Sequence, residues 1–386
     1  MKHAVVIDAL RTPIGRAHPE KGWFRNVRSD DLAVTVVKVL VDRSGVDPEV
    51  IEDVVMGNTQ QQGEQGFDVA RSVSLMAGLP MATGGATVNR LCGSSLQALN
   101  QASHAIMAGF EDVQIVGGLE HMQHIPMDKG LDLNPKLFQR TSKGALMMGV
   151  TAEFLAQSQG ISREEQDEFA LRSHKLAAAA QANGEFRREM VPIWGHDEAG
   201  RRFLVESDQC VRPEASLESL AALKPAFMPG MGTVTAGNSS PLNDGAAAML
   251  IMSDERAAAL GLQAKVRILA TAVVGVDPAV MGTGPVPATQ KVLTRAGLSL
   301  KDIDLIELNE AFAAQAIACI RMLDLDLDKV NVRGGAIAIG HPLGASGARI
   351  STTLINNMID RDATLGLATM CIGVGQGIAT IFERVH

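Results

Sequence analysis

Tyrosine is absent from this chain of 386 residues, and the aromatic share is only 3%. So few rings cannot build the stacking platforms on which single-stranded bases are read. Positive charge is also in deficit. Lys and Arg number 35 against 43 Asp and Glu, a formal net charge of −8. A general nucleic-acid or anionic-membrane surface is therefore not expected. No apolar run approaches the ~18 residues of a membrane helix, so the chain reads as soluble, without membrane insertion. Residues 1–13 (MKHAVVIDALRTP) hold a short apolar stretch broken by Asp8 and Arg11, a first strand rather than a secretory signal. Cysteine is sparse: Cys92, Cys210, Cys319 and Cys371 form no CxxC pair. That argues against a disulfide framework and fits a reducing, cytoplasmic setting.

What is present is ordinary globular composition, 46% apolar and 20% charged. At ~150 residues per domain the length suggests two or three domains. The 38 glycines imply many tight turns or close backbone approaches. Internal similarity organises the chain. Residues 38–58 (KVLVDRSGVDPEVIEDVVMGN) and 291–309 (KVLTRAGLSLKDIDLIELN) share Lys-Val-Leu, then Arg-x-Gly, an acidic stretch, and an apolar strand ending at Asn. Each reads as a helix end, a Gly C-cap, a loop and a buried strand. A weaker pair joins residues 93–118 to 344–373: Gly and Ser, a helix, then a strand ending in Gly. Two copies about 250 residues apart imply duplicated α/β halves rather than a solenoid. Between them, residues 119–241 are poor in strand runs and read as an insertion. The apolar run Ala246–Met252 then rejoins the first half. Strands are expected at Ala4–Asp8, Val54–Gly57, Val113–Gly117, Ala247–Met252, Val266–Val274, Leu305–Leu308, Val330–Ile339, Leu365–Met370 and Ile378–Glu383. Their alternation with helical patterns such as 94–108 and 345–358 predicts a mostly parallel sheet in each half.

Cys92, in TVNRLCGSSLQAL, stands where a strand-like run meets a helix start. Backbone N–H groups at a helix N-terminus favour a thiolate and can bind an oxyanion, so Cys92 is a candidate nucleophile. A buried structural cysteine is the competing reading. Cys371, in ATMCIGVGQG, ends a strand before glycines, where a thiol can move protons or simply fill core. GVGQG leads into the strand IATIF, not a helix, so it is no dinucleotide site. His341, in GGAIAIGHPLGASGAR, sits in a Gly/Pro loop able to present an imidazole to a cleft. Asn309 reads in isolation as a helix N-cap. His121 and His124 lack a third ligand at recognisable spacing, so no metal site is expected.

Taken together, NRLCGSS, TAGNSSPLNDGAAAML, LNEAFAAQ, GGAIAIGHPLGASGAR and MCIGVGQGIATIFERV resemble the thiolase family, and most of all its bacterial β-oxidation branch. The likeness runs from DALRTPIGR at 8–16 to the C-terminus. It implies an α/β thiolase fold of two duplicated βαβαβαββ halves in αβαβα layers, with an inserted loop domain. The expected division is 1–118 plus 242–264, an insertion at 119–241 that binds CoA, and 265–386. It implies thiolytic cleavage of 3-ketoacyl-CoA by CoA. Motif by motif, Cys92 matches the acyl-accepting nucleophile and His341 the base that also bonds the thioester oxygen. Cys371 matches the acid/base cysteine. Asn309 matches the residue holding a water in the first oxyanion hole. Gly373 matches the N–H donor that joins Cys92 in the second. Arg212, Ser219, Phe227, Ser240 and Met148 match positions along CoA, which is a substrate; no tightly bound cofactor is implied. The implied assembly is a homodimer or a dimer of dimers, with a hydratase/dehydrogenase subunit as a further partner. Two features depart from common patterns: Met147 stands where many acetoacetyl-specific members have His, and Pro241 follows GNSS. A biosynthetic acetoacetyl-CoA enzyme would share fold and site. A non-catalytic acyl-CoA-binding relative should lack one of Cys92, His341, Cys371 and Asn309, and all four are present.

Overall fold

The computed structural model describes residues 2–385, so Met1 and His386, the outermost residues of the two expected halves, lie outside it. Twelve strands run in chain order: β1 Ala4–Arg11, β2 Gly15–Arg16, β3 Asp53–Gly57, β4 Ala86–Val88, β5 Val113–His121, β6 Ile193–His196, β7 Arg202–Val205, β8 Asn243–Ser253, β9 Val266–Gly275, β10 Leu305–Leu308, β11 Leu365–Ile372 and β12 Gln376–Arg384. The α-helices are α1 Ser29–Ser44, α2 Val69–Met76, α3 Ser94–Ala108, α4 Met148–Ser158, α5 Arg163–Ala182, α6 Leu217–Ala221, α7 Asp254–Ala259, α8 Pro285–Ala296, α9 Ala313–Leu323 and α10 Ser346–Asp360.

The large sheet runs β10-β11-β12-β9-β1-β8-β5-β3-β4, with β2 on β8, and β6 and β7 form a separate hairpin. Read outward from the β1–β9 junction, the two sides follow one plan. β1-β8-β5-β3-β4 matches β9-β12-β11-β10, and a parallel bridge from Ile306 to Val330 stands where β3 pairs with β4. The repeat visible in the sequence has a local cause as well. Gly45 ends α1 and Gly297 ends α8, both left-handed, at φ 68° and 69°. Each then leads through a short loop to an equivalent strand, β3 or β10.

Two expectations are corrected. The sheet is mixed, not mostly parallel. Among the described residues only β3–β4, β3–β5 and β10–β11 are parallel ladders, while β1, β8, β9 and β12 pair antiparallel with their neighbours. One reason is the tight turn after Ile372, where Val374 and Gly375 adopt φ 63° and 81° and send β12 straight back along β11. The run Val330–Ile339 is not a strand beyond the bridge at Val330. Gly334 turns left-handed there. The Gly335 N–H donates to Ser173 Oγ and the Ile337 N–H to Glu310, so these donors find side chains instead of a ladder.

Helices α3 and α10 form the middle layer. Leu96, Leu99 and Ile106 of α3 share a core with Ile350, Leu354 and Met358 of α10, and both meet strands from either side of the sheet. Outside it, α1 covers the β1–β8–β5 side with Leu32, Val36 and Leu40, while α8 and α9 cover β10–β12. Strand β8 is buried along all its residues, because it has helices on both faces; this explains its continuous Ala/Met/Ile run. Among the described residues no helix is long and apolar enough to cross a membrane.

Candidate active site

Four chain segments supply the candidate residues. Cys92 precedes α3, following Leu91, whose backbone is left-handed at φ 45°. A Cβ on Gly93 would lie 2.6 Å from Ile372 Cδ1, so only glycine lets this turn press against the end of β11. The contact brings Gly373 over the thiol. The backbone N–H groups of Gly373 and of Cys92 itself lie near enough to the Cys92 sulfur to favour its thiolate. Cys371, inside β11, lies near enough for Cys92 to raise its pKa. Its surroundings are apolar: Met148, Ala152, Val234, Met281, Ala311 and Phe312.

His341 is buried at the start of the turn leading into α10. Its Nδ1 is 2.6 Å from Ser346 Oγ, and its backbone N–H donates to Asn243 Oδ1 at 2.8 Å. Asn309 Nδ2 lies 3.4 Å from Nε2 and 3.5 Å from Nδ1 of the same ring, and Asn309 Oδ1 is buried with no protein partner. Asn309 is not the N-cap read from sequence alone. That place belongs to Phe312, because α9 begins only at Ala313.

Burial sets the protonation states. It pushes the Cys92 thiol up to about 11, against the pull of the two N–H groups. The pull of the helix N-terminus towards a thiolate is present but smaller than the cost of burial, so desolvation outweighs the donors. Burial also drives His341 down to about 3, assisted by the charge of Arg349. Cys371 is raised as well, by burial and then by Cys92 and Cys319. At neutral pH the unliganded site holds two thiols and a neutral imidazole.

The residues expected along CoA divide into two groups. Met148 opens α4, and its sulfur would touch a Cβ placed on Gly373 at 3.6 Å. Phe227 lies on Gly149, where a Cβ would sit 2.1 Å away, and meets Phe312 edge-on at 5.9 Å. Ser240 donates from both N–H and Oγ to the Ala311 carbonyl. These three converge beside Cys371. Arg212 and Ser219 are exposed on the α5–α6 side. The Arg212 N–H donates to His174 Nδ1, and Ser219 Oγ donates to the Ser216 carbonyl within a capping box.

Ser346, Asn243 and Glu120 were not singled out from sequence. Ser346 carried a signal, five residues after His341 at a helix start. Asn243 and Glu120 carried none, because their partners are distant in the chain. His121 and His124 stack at 3.6 Å; His121 Nδ1 accepts from the His124 N–H, and His124 Nδ1 lies 2.9 Å from Glu64. Among the described residues, no group of three or more His, Cys, Asp or Glu could hold a metal.

The family model for the thiolase N-terminal domain matches residues 4–255, and that for the thiolase C-terminal domain matches 262–384. A 3-ketoacyl-CoA thiolase from Shewanella loihica is 57% identical over 388 residues, spanning all of both chains. One from Shewanella frigidimarina is 57% identical over 389 residues, again with full coverage. Among solved structures, an acetyl-CoA acetyltransferase of Bacillus anthracis superposes with TM-score 0.91 at 40% identity, covering 100% of this chain and 99% of that one. Human mitochondrial 3-ketoacyl-CoA thiolase does so with TM-score 0.91 at 39% identity and the same coverage. Matched by these two models over nearly its whole length, the chain belongs to the thiolase family.

Proposed function

We propose that this protein cleaves 3-ketoacyl-CoA with CoA, giving acetyl-CoA and a shortened acyl-CoA in fatty-acid β-oxidation. The observation that carries the residue roles is a buried thiol, Cys92, with the Gly373 and Cys92 N–H groups close to its sulfur and a second buried thiol, Cys371, beside it. The full-length likeness to 3-ketoacyl-CoA thiolases supports the substrate class.

His341 takes the Cys92 proton as the sulfur attacks the keto carbon, because neither group is charged beforehand. If Nδ1–H donates to Ser346 Oγ, Nε2 is free to accept that proton and then to donate to the substrate oxygen. The C2–C3 bond breaks and its electrons pass to an acetyl-CoA enolate. Asn309, through a water, and His341 stabilise the oxygen of that enolate; one such donor is typically worth about 3–4 kcal/mol. Cys371 protonates C2, leaving the acyl group as a thioester on Cys92. CoA then enters and gives its thiol proton to Cys371, and its sulfur attacks the acyl carbon. The oxyanion faces the N–H groups of Gly373 and Cys92. Collapse frees Cys92, which recovers its proton from His341. Two thiols are needed because one is acylated while the other moves protons.

Met148, Phe227 and Ser240 line the pantetheine end in this reading, and Arg212 and Ser219 lie towards the nucleotide. The domain division is proposed as 1–118 with 242–264, a CoA-binding insertion at 119–241, and 265–386. A cytoplasmic homodimer or dimer of dimers, alone or with a hydratase/dehydrogenase subunit, completes the proposal. The test is CoA-dependent cleavage of acetoacetyl-CoA and 3-ketohexadecanoyl-CoA by the purified chain, with mass spectrometry of the acylated residue. Activity higher on the long substrate, with the acyl group on Cys92, supports the reading. Activity confined to acetoacetyl-CoA points to a biosynthetic acetoacetyl-CoA enzyme. Label elsewhere, or normal turnover by Cys92→Ser, overturns the mechanism.

A further inference from the structure

Glu120, at the end of β5, is a fully buried carboxylate that the mechanism does not use. Six donors surround it. Oε1 accepts from Gln65 Nε2 at 2.9 Å, Asn58 Nδ2 at 3.3 Å and the Gln60 N–H at 3.4 Å. Oε2 accepts from Thr59 Oγ1 at 2.7 Å, the Gly344 N–H at 2.9 Å and the Thr59 N–H at 3.0 Å. Burial raises the pKa of the carboxyl. Six donors oppose that and favour the ionised form.

The donors belong to two segments far apart in the chain. Gly344 lies between His341 and Ser346, inside the turn that holds the imidazole. A Cβ there would meet Glu120 Oε2 at 2.8 Å, so glycine alone allows the approach. Thr59 leads the other way. Its carbonyl accepts from Asn89 Nδ2 at 2.9 Å, and Asn89 Oδ1 accepts from the Leu91 N–H at 2.8 Å. Leu91 is the left-handed residue immediately before Cys92. A left-handed leucine costs free energy and persists only where its surroundings hold it.

We infer that Glu120 is a positioning residue: its carboxylate is the centre of a hydrogen-bonded strut, Leu91–Asn89–Thr59–Glu120–Gly344, that keeps the nucleophile turn in register with the imidazole turn. This rests on the reading of Cys92 as nucleophile and His341 as base. The strut runs across the α3–α10 layer beside a direct contact between the two helix starts, where the Ala348 N–H donates to Ser95 Oγ at 2.9 Å. It also sets a negative charge near the sulfur, which holds the proton on Cys92 until the imidazole takes it. The titratable groups facing that sulfur are Glu120 from β5, Cys371 from β11 and, in the proposed mechanism, His341. Arg90 on the same turn is engaged with Gln97 and Gln376.

The experiment compares wild type, Glu120→Gln and Asn89→Ala in acetoacetyl-CoA thiolysis, with iodoacetamide labelling at pH 8 read by mass spectrometry at each cysteine. Glu120→Gln keeps the shape, removes the charge and turns an N–H against the donors. Its kcat is expected to fall about a hundredfold, the effect of an ångström-scale misplacement, with KM little changed. Its Cys92 is expected to alkylate faster, since removing a neighbouring negative charge lowers the thiol pKa. Slower turnover with faster alkylation counts for the inference only while Cys210 and Cys319 stay protected, which separates loss of the charge from unfolding. Buried Cys210 and Cys319 serve as controls, because unfolding exposes them to label. Asn89 is exposed, so Asn89→Ala should fold; it cuts the strut and leaves the charge. Its kcat is expected to fall about tenfold or more without faster alkylation. Wild-type kcat in Asn89→Ala, or unchanged kcat and alkylation in folded Glu120→Gln, overturns the inference. If Glu120→Gln exposes Cys210 and Cys319, Asn89→Ala decides alone. An inert wild type, or an active Cys92→Ser, instead overturns the active-site reading on which the inference rests.

Discussion

Replacing Ser346 with Ala removes one oxygen from a buried site and tests the proposed state of His341. Ser346 Oγ is 2.6 Å from Nδ1, and both side chains are buried. In the resting enzyme this is a neutral hydrogen bond, worth about 0.5–1.5 kcal/mol net. Once His341 has taken the Cys92 proton, the same bond is made to a cation and is worth about 1.5–3 kcal/mol. Only the difference, about 1–1.5 kcal/mol, lowers the barrier. At 1.36 kcal/mol per factor of ten, Ser346→Ala should therefore reduce kcat roughly tenfold. Substrate binding does not involve the imidazolium, so KM should stay within about threefold. Losing the partner of a buried nitrogen should also cost about 1–3 kcal/mol of folding stability. The assay is steady-state thiolysis of acetoacetyl-CoA beside urea denaturation of the same preparation. A kcat within twofold of wild type, with the stability loss present, would refute the reasoning, since the bond would then serve folding and not proton transfer.

Asn309→Ala should slow C–C cleavage by about 10²–10³ with little change in KM for CoA, as for loss of an oxyanion-hole donor; a rise in KM at constant kcat would show a structural residue instead. Cys371→Ala should still become acylated by acyl-CoA in a single turnover yet fail to complete thiolysis, and unchanged turnover would remove its proton-transfer role. Burial pushes His341 down to about 3 from its usual value near 6.5, so its ring signal in NMR should not titrate between about pH 5 and 8; a midpoint in that window contradicts the assignment. The sign follows for stability: the unfolded chain gains this proton first, so the contribution of His341 is complete above about pH 6.5 and is lost as pH falls towards 3. Arg11 is fully buried and donates to both Glu189 and Asp208. Arg11→Met should cost about 3–5 kcal/mol in urea unfolding, because it strands two buried carboxylates; a loss below ~1 kcal/mol would show that the site rehydrates.

The sequence by itself determined what is written in short segments. The glycine ends of α1 and α8 are legible because a left-handed residue after a helix selects glycine, and equal spacing to the next strand exposed the repeat. The turns bearing Cys92, His341 and Cys371 were legible for a similar reason, since cysteine or histidine among glycines at an element boundary is a local pattern. Strand direction was not local. Whether β11 and β12 run parallel or antiparallel depends on a three-residue turn with two left-handed residues, and Val374 gives no sign of such a backbone. Val330–Ile339 looked like a strand because its apolar run is real, yet Ser173 and Glu310, from elsewhere in the chain, take N–H groups that a ladder would have used. The tertiary structure also decided the protonation of the site. A helix N-terminus favours a thiolate, but desolvation by neighbours distant in sequence is larger, so Cys92 rests as a thiol. Glu120 shows the same limit most clearly. Its residue type announces a surface charge, and only the folding together of Thr59, Gln65 and Gly344 buries it between the segments that lead to Cys92 and His341.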